Sequence, residues 1–386
     1  MTSSTSSSNS VAAVNSDRIS GMQDDVLLHI LSFLPTIMSA KTSILSRRWR
    51  FLWAYAPDLI FETDDDVDIV YRVMLLHRTK SINTLRMTRC FPCTDLQFDT
   101  WIAYAVMRKV RNLDLWVEGT RILPQCLLNC ETLVDLRLSY CCVIPDAGTV
   151  YLPRLKNLHL IEVEYESDES LPRLLSGCTQ LEEFVLKSDE ELLSCYKISS
   201  PTIERLTVHF YLSDATSYEC RLVINTPALG YLQICDEIYR LARNPESQEH
   251  TQTGESKFFA GTVSFPTLTK LELDADCFLV SQFLKNADNL EILIFNEVSE
   301  EKKSYVWVEP LQVPKCLLSH LKVIKFVNTV DKMNNFEMVK FLLKNARVLE
   351  EMDIIYSKTS DTEEKVREIV LLCKRCRVTR VEVVKL

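Results

Sequence analysis

Residues 133–141 read LVDLRLSYC, and this stretch decides how the rest of the chain is interpreted. Leucines occupy its first, fourth and sixth positions, at Leu133, Leu136 and Leu138. The last two leucines are two residues apart, so in a strand they point to one face, while Arg137 between them points to the other. The stretch therefore predicts a short strand with one buried and one exposed face.

The same spacing of apolar residues recurs along most of the chain. Other clear copies are LKNLHL from Leu155, LTKLEL from Leu268 and LEILIF from Leu290. Counting looser copies, the starts are residues 82, 110, 133, 155, 181, 203, 229, 268, 290, 321, 349 and 378. Their mean spacing of roughly 27 residues lies in the 20–29 range of leucine-rich repeats.

The segments between copies contain helical patterns. Leu171, Leu174, Leu175 and Cys178 keep the spacing of one apolar helix face. A strand and a helix cannot bury their apolar faces alone, so the repeats must stack on one another. The predicted fold is an α/β leucine-rich-repeat solenoid whose parallel strands line the concave face.

The residues that alternate with the buried strand positions should face this concave surface, where a partner protein could contact them. Val185 and Lys325 belong to this set, and the candidate target-binding residues are Trp116, Arg137, His159, Tyr231, Gln233 and Glu272. The alternative is that most of them are simply solvated, because few residues of any interface carry its energy.

Composition narrows the class of protein. The net charge of −9 disfavours nucleic acid and anionic membranes as main partners. The sequence contains no apolar run long enough to span a membrane. With seven glycines the chain has few places for a phosphate-binding loop, and neither GxGxxG nor GxxxxGK[ST] occurs. Its fourteen cysteines lie in leucine-rich segments, which favours reduced thiols in the cytoplasm or nucleus.

Two segments are too polar to join a core. Residues 1–16 are rich in Ser and Thr and predict a disordered tail. Residues 242–256 read ARNPESQEHTQTGES and predict a loop inserted into one repeat.

Residues 17–60 depart from the repeat pattern and predict a small helical module. Leu27, Ile30, Leu31 and Leu34 have the spacing of one helix face, and Pro35 limits that helix. Ser39 is the expected cap of a second helix. A core this small must dock on the solenoid or rely on a partner.

No catalytic residues, metal site or cofactor are predicted. Cys90-x-x-Cys93 and Cys373-x-x-Cys376 each provide half a zinc site, but they lie beside the first and last repeat copies. The acidic stretch 62–68 lacks the glycine and distant glutamate of a calcium loop. The acid-rich run 162–191 is either a solvated edge or a surface that prefers a basic target.

Two parts of the chain resemble known domains. Arg18–Ser20, Asp24–Pro35 and Thr42–Trp53 closely resemble the F-box of plant F-box/leucine-rich-repeat proteins, and Trp307, Val313–Leu318 and Phe341–Ala346 resemble the FBD domain. The resemblance divides the chain into an F-box at 17–60, a leucine-rich-repeat solenoid at 61–306 and FBD-like repeats at 307–386 that continue the solenoid.

The resemblance implies a non-catalytic substrate receptor of a ubiquitin ligase. Its F-box would bind a Skp-type adaptor on a cullin ligase, and its repeats would hold an unknown target protein. By position in the family motif, the adaptor contacts would be Leu27, Ile30, Leu31, Leu34, Pro35, Leu45 and Trp49.

The chain departs from the family motif at two places beside the expected adaptor surface. Met22-Gln23 stands where the family usually has Leu-Pro, and Ile37-Met38-Ser39 replaces a charged turn. Either change could weaken adaptor docking. The alternative function is therefore a leucine-rich-repeat scaffold that binds a partner without engaging the ligase.

Overall fold

The computed structural model describes residues 19, 21–62, 67–90, 93–117, 119–188, 193–211, 221–237, 264–274, 277–296, 307, 309–327, 333–356, 360–376 and 378–385. The predicted tail at 1–16 and the predicted insert at 242–256 lie outside these residues.

The described part of the chain contains seventeen strands. In chain order they are β1 (Asp58–Phe61), β2 (Thr84–Cys90), β3 (Asn112–Val117), β4 (Asp135–Ser139), β5 (Val143–Ile144), β6 (Asn157–Ile161), β7 (Glu164–Tyr165), β8 (Glu183–Ser188), β9 (Cys195–Ser199), β10 (Arg205–Tyr211), β11 (Arg221–Asn225), β12 (Tyr231–Glu237), β13 (Lys270–Asp274), β14 (Ile292–Asn296), β15 (Val323–Val327), β16 (Glu351–Tyr356) and β17 (Arg380–Lys385). Thirteen of them, all except β5, β7, β9 and β11, form one sheet in the order of the chain.

Every neighbouring pair of strands in this sheet is parallel, and the repeat copies stand in register. Leu136 of β4 lies opposite Leu113 and Leu158 in the adjacent strands, and Leu271 lies opposite Leu232 and Leu293. These leucines are 0–1 % exposed. All twelve predicted copies provide a strand of the sheet, which confirms the leucine-rich-repeat solenoid.

One further strand precedes the first predicted copy. In β1, Leu59 and Phe61 are fully buried and pair with β2 in the same register as the later repeats. Small Ala56 takes the first apolar position, which is why the leucine pattern does not reveal this repeat. The boundary suggested at residue 60 falls inside this strand.

Helices join the strands on the buried side of the sheet. They are α1 (Asp24–Ser32) and α2 (Thr36–Lys41) in the N-terminal module, followed by α3 (Val67–Leu76), α4 (Asp95–Met107), α5 (Gln125–Leu128), α6 (Ser170–Ser176), α7 (Cys277–Asn286), α8 (Lys315–Ser319), α9 (Met333–Asn345) and α10 (Ser360–Arg375). Two 3-10 helices, Thr42–Ile44 and Trp49–Tyr55, complete the module.

The central repeats use strands where the sequence predicted helices. Strands β9 and β11 pair with each other in parallel, and so do β5 and β7. In β9 the buried Tyr196 and Ile198 alternate with more exposed residues, which is the period of a strand rather than of a helix. In these segments the local spacing of apolar residues therefore indicates a strand rather than a helix.

The N-terminal module packs directly against the solenoid. Leu27, Leu31, Trp49 and Trp53 belong to the same continuous core as the first strands of the sheet. The backbone N–H of Ile60 in β1 donates a 2.7 Å hydrogen bond to the Thr36 hydroxyl in α2. The small module is thus stabilised by docking on the first repeat.

The predicted cap at Ser39 is wrong. Pro35 is the N-cap residue of α2, and Ser39 lies inside that helix at 2 % exposure. Its hydroxyl donates a 2.9 Å hydrogen bond to the carbonyl of Leu31. Because α2 begins directly after Pro35, Ser39 is placed to tie α2 to the last turn of α1 instead.

A buried histidine joins α3 to the N-terminal module. His77 is 3 % exposed; its Nε2 lies 2.8 Å from the Ala56 carbonyl and its Nδ1 lies 3.0 Å from the Tyr104 hydroxyl. A neutral ring satisfies both contacts by donating to the carbonyl and accepting from the hydroxyl. Burial lowers the pKa of His77, and the Arg108 charge acts in the same direction.

We expect His77 to make the fold sensitive to acid. Its pKa in the folded state lies below the unfolded value of about 6.5, so the unfolded chain binds the proton more readily. The stability that neutral His77 contributes is full above that pH and is lost as the pH falls through the folded pKa. Thermal unfolding between pH 7.5 and 5 should show a smaller loss of Tm for His77→Gln than for the wild type. An equal loss in both proteins would contradict this assignment.

The predicted loop insert lies between β12 and β13 and can be tested by deletion. These strands pair directly over five residues, although the intervening segment includes the polar stretch 242–256. Deleting residues 244–255 should leave soluble expression and Tm essentially unchanged, because the deleted residues include no apolar side chain that could join a core. Loss of soluble protein on this deletion would show that the segment belongs to the fold.

Candidate functional site

An apolar patch covers the N-terminal module. We define the patch as the large apolar side chains between the start of α1 and the residue after the first 3-10 helix that have more than a third of their surface accessible to solvent: Val26, Ile30, Phe33, Leu34, Met38, Ile44 and Leu45. Phe33 is 73 % exposed and Ile44 is 89 % exposed. Exposed apolar side chains grouped in this way mark an interaction surface.

Four of the seven residues expected to contact an adaptor are at least partly exposed. Ile30, Leu34 and Leu45 belong to the apolar patch. Pro35 is half-buried where α2 begins.

The other three expected contact residues point inward. Leu27 is 0 %, Leu31 is 1 % and Trp49 is 7 % exposed. They fill the core of the module, so this conformation does not offer them to a partner. Their role as direct adaptor contacts stays a prediction, which would require them to become accessible from the core of the module.

Four residues of the patch were missed by the sequence reasoning: Val26, Phe33, Met38 and Ile44. The spacing rule selects residues on one face of a helix, but it does not indicate whether that face meets the core or solvent. Ile44 and Leu45 are adjacent in sequence and both exposed. The 3-10 helix that ends at Ile44 contains no buried residue.

Arg48 holds the start of α1. Its guanidinium pairs with the Asp24 carboxylate and donates a hydrogen bond to the Met22 carbonyl. Gln23 is the N-cap residue with φ −69° and ψ 153°, and its side chain makes no capping hydrogen bond. The helix therefore begins at Asp24 without a proline at position 23.

A cavity of about 850 Å³ opens on the concave face of the sheet, over five neighbouring strands from β2 to β8. Its lining contains three cationic, two anionic and two aromatic side chains: Arg86, Arg137, Lys187, Asp114, Glu162, Trp116 and Tyr140. We call this the concave cavity. Its volume is in the range of ligand-binding pockets.

Two candidate target-binding residues, Trp116 and Arg137, line the concave cavity, and a third lies beside it. Arg137 Nη2 is 2.9 Å from Nδ1 of His159. Burial lowers the pKa of His159, and the positive charge of Arg137 lowers it further, while Glu183 opposes the shift. A neutral His159 accepts the hydrogen bond of Arg137 without supplying a negative charge to it.

The remaining three candidates form a separate cluster on β12 and β13. The Tyr231 hydroxyl donates a 3.1 Å hydrogen bond to Glu272 and lies 3.3 Å from Gln233 Oε1. The Lys270 ammonium lies 4.8 Å from the centre of the Tyr231 ring. Burial, reinforced by the Glu272 charge, raises the pKa of Tyr231, so this hydroxyl remains a proton donor. The six candidate target-binding residues therefore lie at two places on the sheet. Three lie at or beside the concave cavity, and three lie on β12 and β13.

Lys187 and Tyr140 were missed among the cavity residues. Lys187 occupies the position directly after the last apolar residue of its copy, as Trp116 does in the copy from residue 110, so the same rule would have found it. Tyr140 lies beyond the end of β4 and has a left-handed φ of 55°. The two-residue alternation of side chains in a strand does not predict which face a residue beyond the end of the strand will occupy.

Three acids of the described part of the run 162–191 form ion pairs within the protein. Glu169 pairs with Lys197, Glu182 pairs with Lys156, and Glu183 pairs with Arg205. Asp168 accepts hydrogen bonds from Ser194. These partners reduce the negative charge that the run offers to a basic target.

The two cysteine pairs stay apart. Cys90 ends β2 near one edge of the sheet, and Cys373 lies in α10 before β17 at the opposite edge. Across the part of the chain that the structure describes, no group of three or more His, Cys, Asp or Glu side chains could hold a metal ion. None of the described helices is long and apolar enough to cross a lipid bilayer.

The fold and the two surfaces define a leucine-rich-repeat protein with an N-terminal F-box. Residues 19–59 match the F-box domain family and residues 309–354 match the FBD family. Residues 98–252 match the family described as the LRR repeats of FBD-associated F-box protein At5g56370.

Full-length relatives extend these matches across the chain. FBD-associated F-box protein At3g52670 of Arabidopsis thaliana is 30 % identical over 92 % of this chain and 93 % of its own length. F-box/FBD/LRR-repeat protein At4g26340 of the same plant is 30 % identical over 86 % of this chain and 91 % of its own. The chain belongs to the plant F-box/FBD/LRR-repeat protein family.

Proposed function

We propose that this protein is a substrate-recognition subunit of a Skp–cullin–F-box ubiquitin ligase. The apolar patch on the F-box binds a Skp-type adaptor, and the concave face of the repeats holds a target protein. The observation that carries the proposal is the patch itself: a module stabilised by the solenoid still leaves Phe33, Ile44 and Leu45 exposed. Covering such side chains is the main driving force of most protein association.

The proposed role is non-catalytic. A receptor needs no reactive group of its own, because holding a target beside a ligase raises the effective concentration of that target there. Burial raises the pKa of Cys178 and Cys316 to about 12, so these thiols remain protonated and unreactive. Buried thiols of this kind also support the proposed location in the cytoplasm or nucleus.

Co-purification tests the proposed function. The full chain is co-expressed with a Skp-type adaptor of plant origin, and the pair is separated by size-exclusion chromatography. A stable one-to-one complex is expected. A folded, monomeric chain that does not bind the adaptor would overturn the ligase proposal. The adaptor-free scaffold would then be the function.

The Met22-Gln23 departure should have little effect on adaptor docking. Gln23 has a φ of −69°, which is the angle that proline imposes, so Met22→Leu with Gln23→Pro fits the existing helix start. We expect the double variant to gain about 0.4–1 kcal/mol in stability from a less flexible unfolded chain. Adaptor affinity, measured by isothermal calorimetry, should change by less than about threefold. A large gain in affinity would mean that the natural sequence weakens docking.

A further inference from the structure

Among the described residues, two of the three cations that line the concave cavity have no acidic partner. Arg86 is paired with Asp114 at 3.1 Å, whereas Arg137 contacts neutral His159 and Lys187 has no ion-pair partner among the described residues. Glu162 is the remaining acid of the lining, so the three cations exceed the two acids by one. This is the reverse of the chain as a whole, whose net charge is −9.

The two unpaired cations flank one strand. Arg137 lies on β4 and Lys187 on β8, with β6 between them; Ile161 of β6 and Glu162 directly after it also line the cavity. Adjacent strands are about 4.8 Å apart, so an anion above β6 lies within reach of both long side chains. Charge-assisted hydrogen bonds from Arg and Lys are the strong contacts in such sites.

An aromatic wall stands beside the cations. The rings of Trp116 and Tyr140 stack with centroids 5.8 Å apart at 26°, and Tyr140 is 46 % exposed. Tyr140 has a φ of 55° and Glu162 a φ of 49°, and both residues line the cavity. Residues other than glycine rarely adopt this left-handed conformation, which is enriched at functional sites.

The backbone fixes this unusual arrangement. The N–H of Tyr140 donates a 3.0 Å hydrogen bond to the Ile161 carbonyl, and the N–H of Glu162 donates one of 2.9 Å to the Lys187 carbonyl. Each left-handed residue is thus bonded to the next strand of the sheet. The aromatic wall is preorganised, which lowers the entropy that binding would cost.

The shape of the cavity fits an extended peptide. Five strands at about 4.8 Å spacing give a length of roughly 19 Å, which accommodates about five or six extended residues. Trp, Tyr and Arg, the residue types that dominate binding energy at protein interfaces, all line it.

We propose that the concave cavity binds an extended segment of the target protein in which an anionic side chain, a carboxylate or a phosphate, lies next to an aromatic or large apolar side chain. The anion contacts Arg137 and Lys187, and the apolar side chain packs on Trp116 and Tyr140. This inference rests on the proposed function and names the chemistry of the segment that the receptor recognises.

Three synthetic dodecapeptide libraries on beads test the inference. All positions are random except a tryptophan and, two residues later, a glutamate, a phosphoserine or a lysine. The purified full chain carries a fluorescent label and is applied without adaptor, so the result is independent of ligase engagement. We expect capture by the glutamate or phosphoserine library to exceed capture by the lysine library, and the stronger of the two identifies the anion.

Selected peptides are then titrated by fluorescence anisotropy against matched variants. Arg137→Gln with Lys187→Gln should weaken binding about tenfold or more, because two charged contacts are lost, and Trp116→Ala should weaken it by a similar factor. Lys315→Gln removes an exposed cation of α8, outside the cavity, and should change affinity less than about twofold. Circular dichroism melting checks that each variant remains folded.

Equal capture of all three libraries, including capture of none, would overturn the inference. An acid preference that survives the Arg137→Gln and Lys187→Gln changes would also overturn it, because the anion would then bind elsewhere. Either result leaves adaptor binding untouched, since the apolar patch lies on the F-box and the cavity on the repeats.

Discussion

Replacing Leu271 with Ala is expected to lower the free energy of unfolding by about 2–5 kcal/mol. Leu271 is 0 % exposed on β13 and stands opposite Leu232 and Leu293 in the adjacent strands. The truncation leaves a cavity between three repeats, and each repeat is stabilised mainly by its neighbours. Urea unfolding followed by far-UV circular dichroism measures the loss.

Glu272→Ala is the matched control one residue away. Glu272 points to the concave face, where it accepts the hydrogen bond of Tyr231 and lies 3.8 Å from Lys270. Losing these half-exposed contacts should cost about 1 kcal/mol. Similar losses for Leu271→Ala and Glu272→Ala would mean that the register of the strand is misassigned.

Placing a charge in the apolar patch is expected to weaken adaptor binding by about thirtyfold or more, or roughly 2 kcal/mol. Phe33→Asp and Leu45→Asp each put a carboxylate where we propose that the adaptor covers apolar surface. The carboxylate would lose its hydration without gaining a partner. Since Phe33 is 73 % and Leu45 is 63 % exposed in the free chain, neither change should lower Tm much.

Two further variants separate binding from folding. Leu96→Asp places the same charge on an exposed leucine of α4, outside the F-box, and should leave adaptor affinity unchanged. Trp49→Ala removes a buried core residue and should cost about 3–5 kcal/mol of stability. Calorimetric titration with the adaptor measures affinity, and thermal unfolding measures stability. Wild-type affinity in both Phe33→Asp and Leu45→Asp would exclude the apolar patch as the adaptor surface.

The repeats are predictable because the information in each copy is local. The fourth and sixth positions of a copy lie in one strand, so their burial follows from a two-residue alternation that holds for Leu136 and Leu138 as it does for Leu271 and Leu273. Stacking then places equivalent positions opposite each other. The same alternation predicts that Trp116, Arg137 and Glu272 face away from the core.

The sequence by itself determined the solenoid, the helical module before it and the set of residues on the concave face. Only the tertiary structure decided which apolar residues of α1 are buried. Leu27 and Leu31 lie one turn apart in the core of the module, while Ile30 and Leu34 have the same spacing and face solvent. An apolar stripe wide enough to cover both faces leaves the choice to the element that packs against it.

The concave cavity also depended on the tertiary structure. Trp116, Arg137 and Lys187 are separated by 21 and 50 residues in the chain, and their proximity follows from the order and register of β3, β4, β6 and β8. The left-handed backbone at Tyr140 is held by a hydrogen bond to the neighbouring strand, which local sequence does not encode. A repeat pattern fixes the face on which each side chain lies, whereas the neighbouring strands determine which side chains share a site.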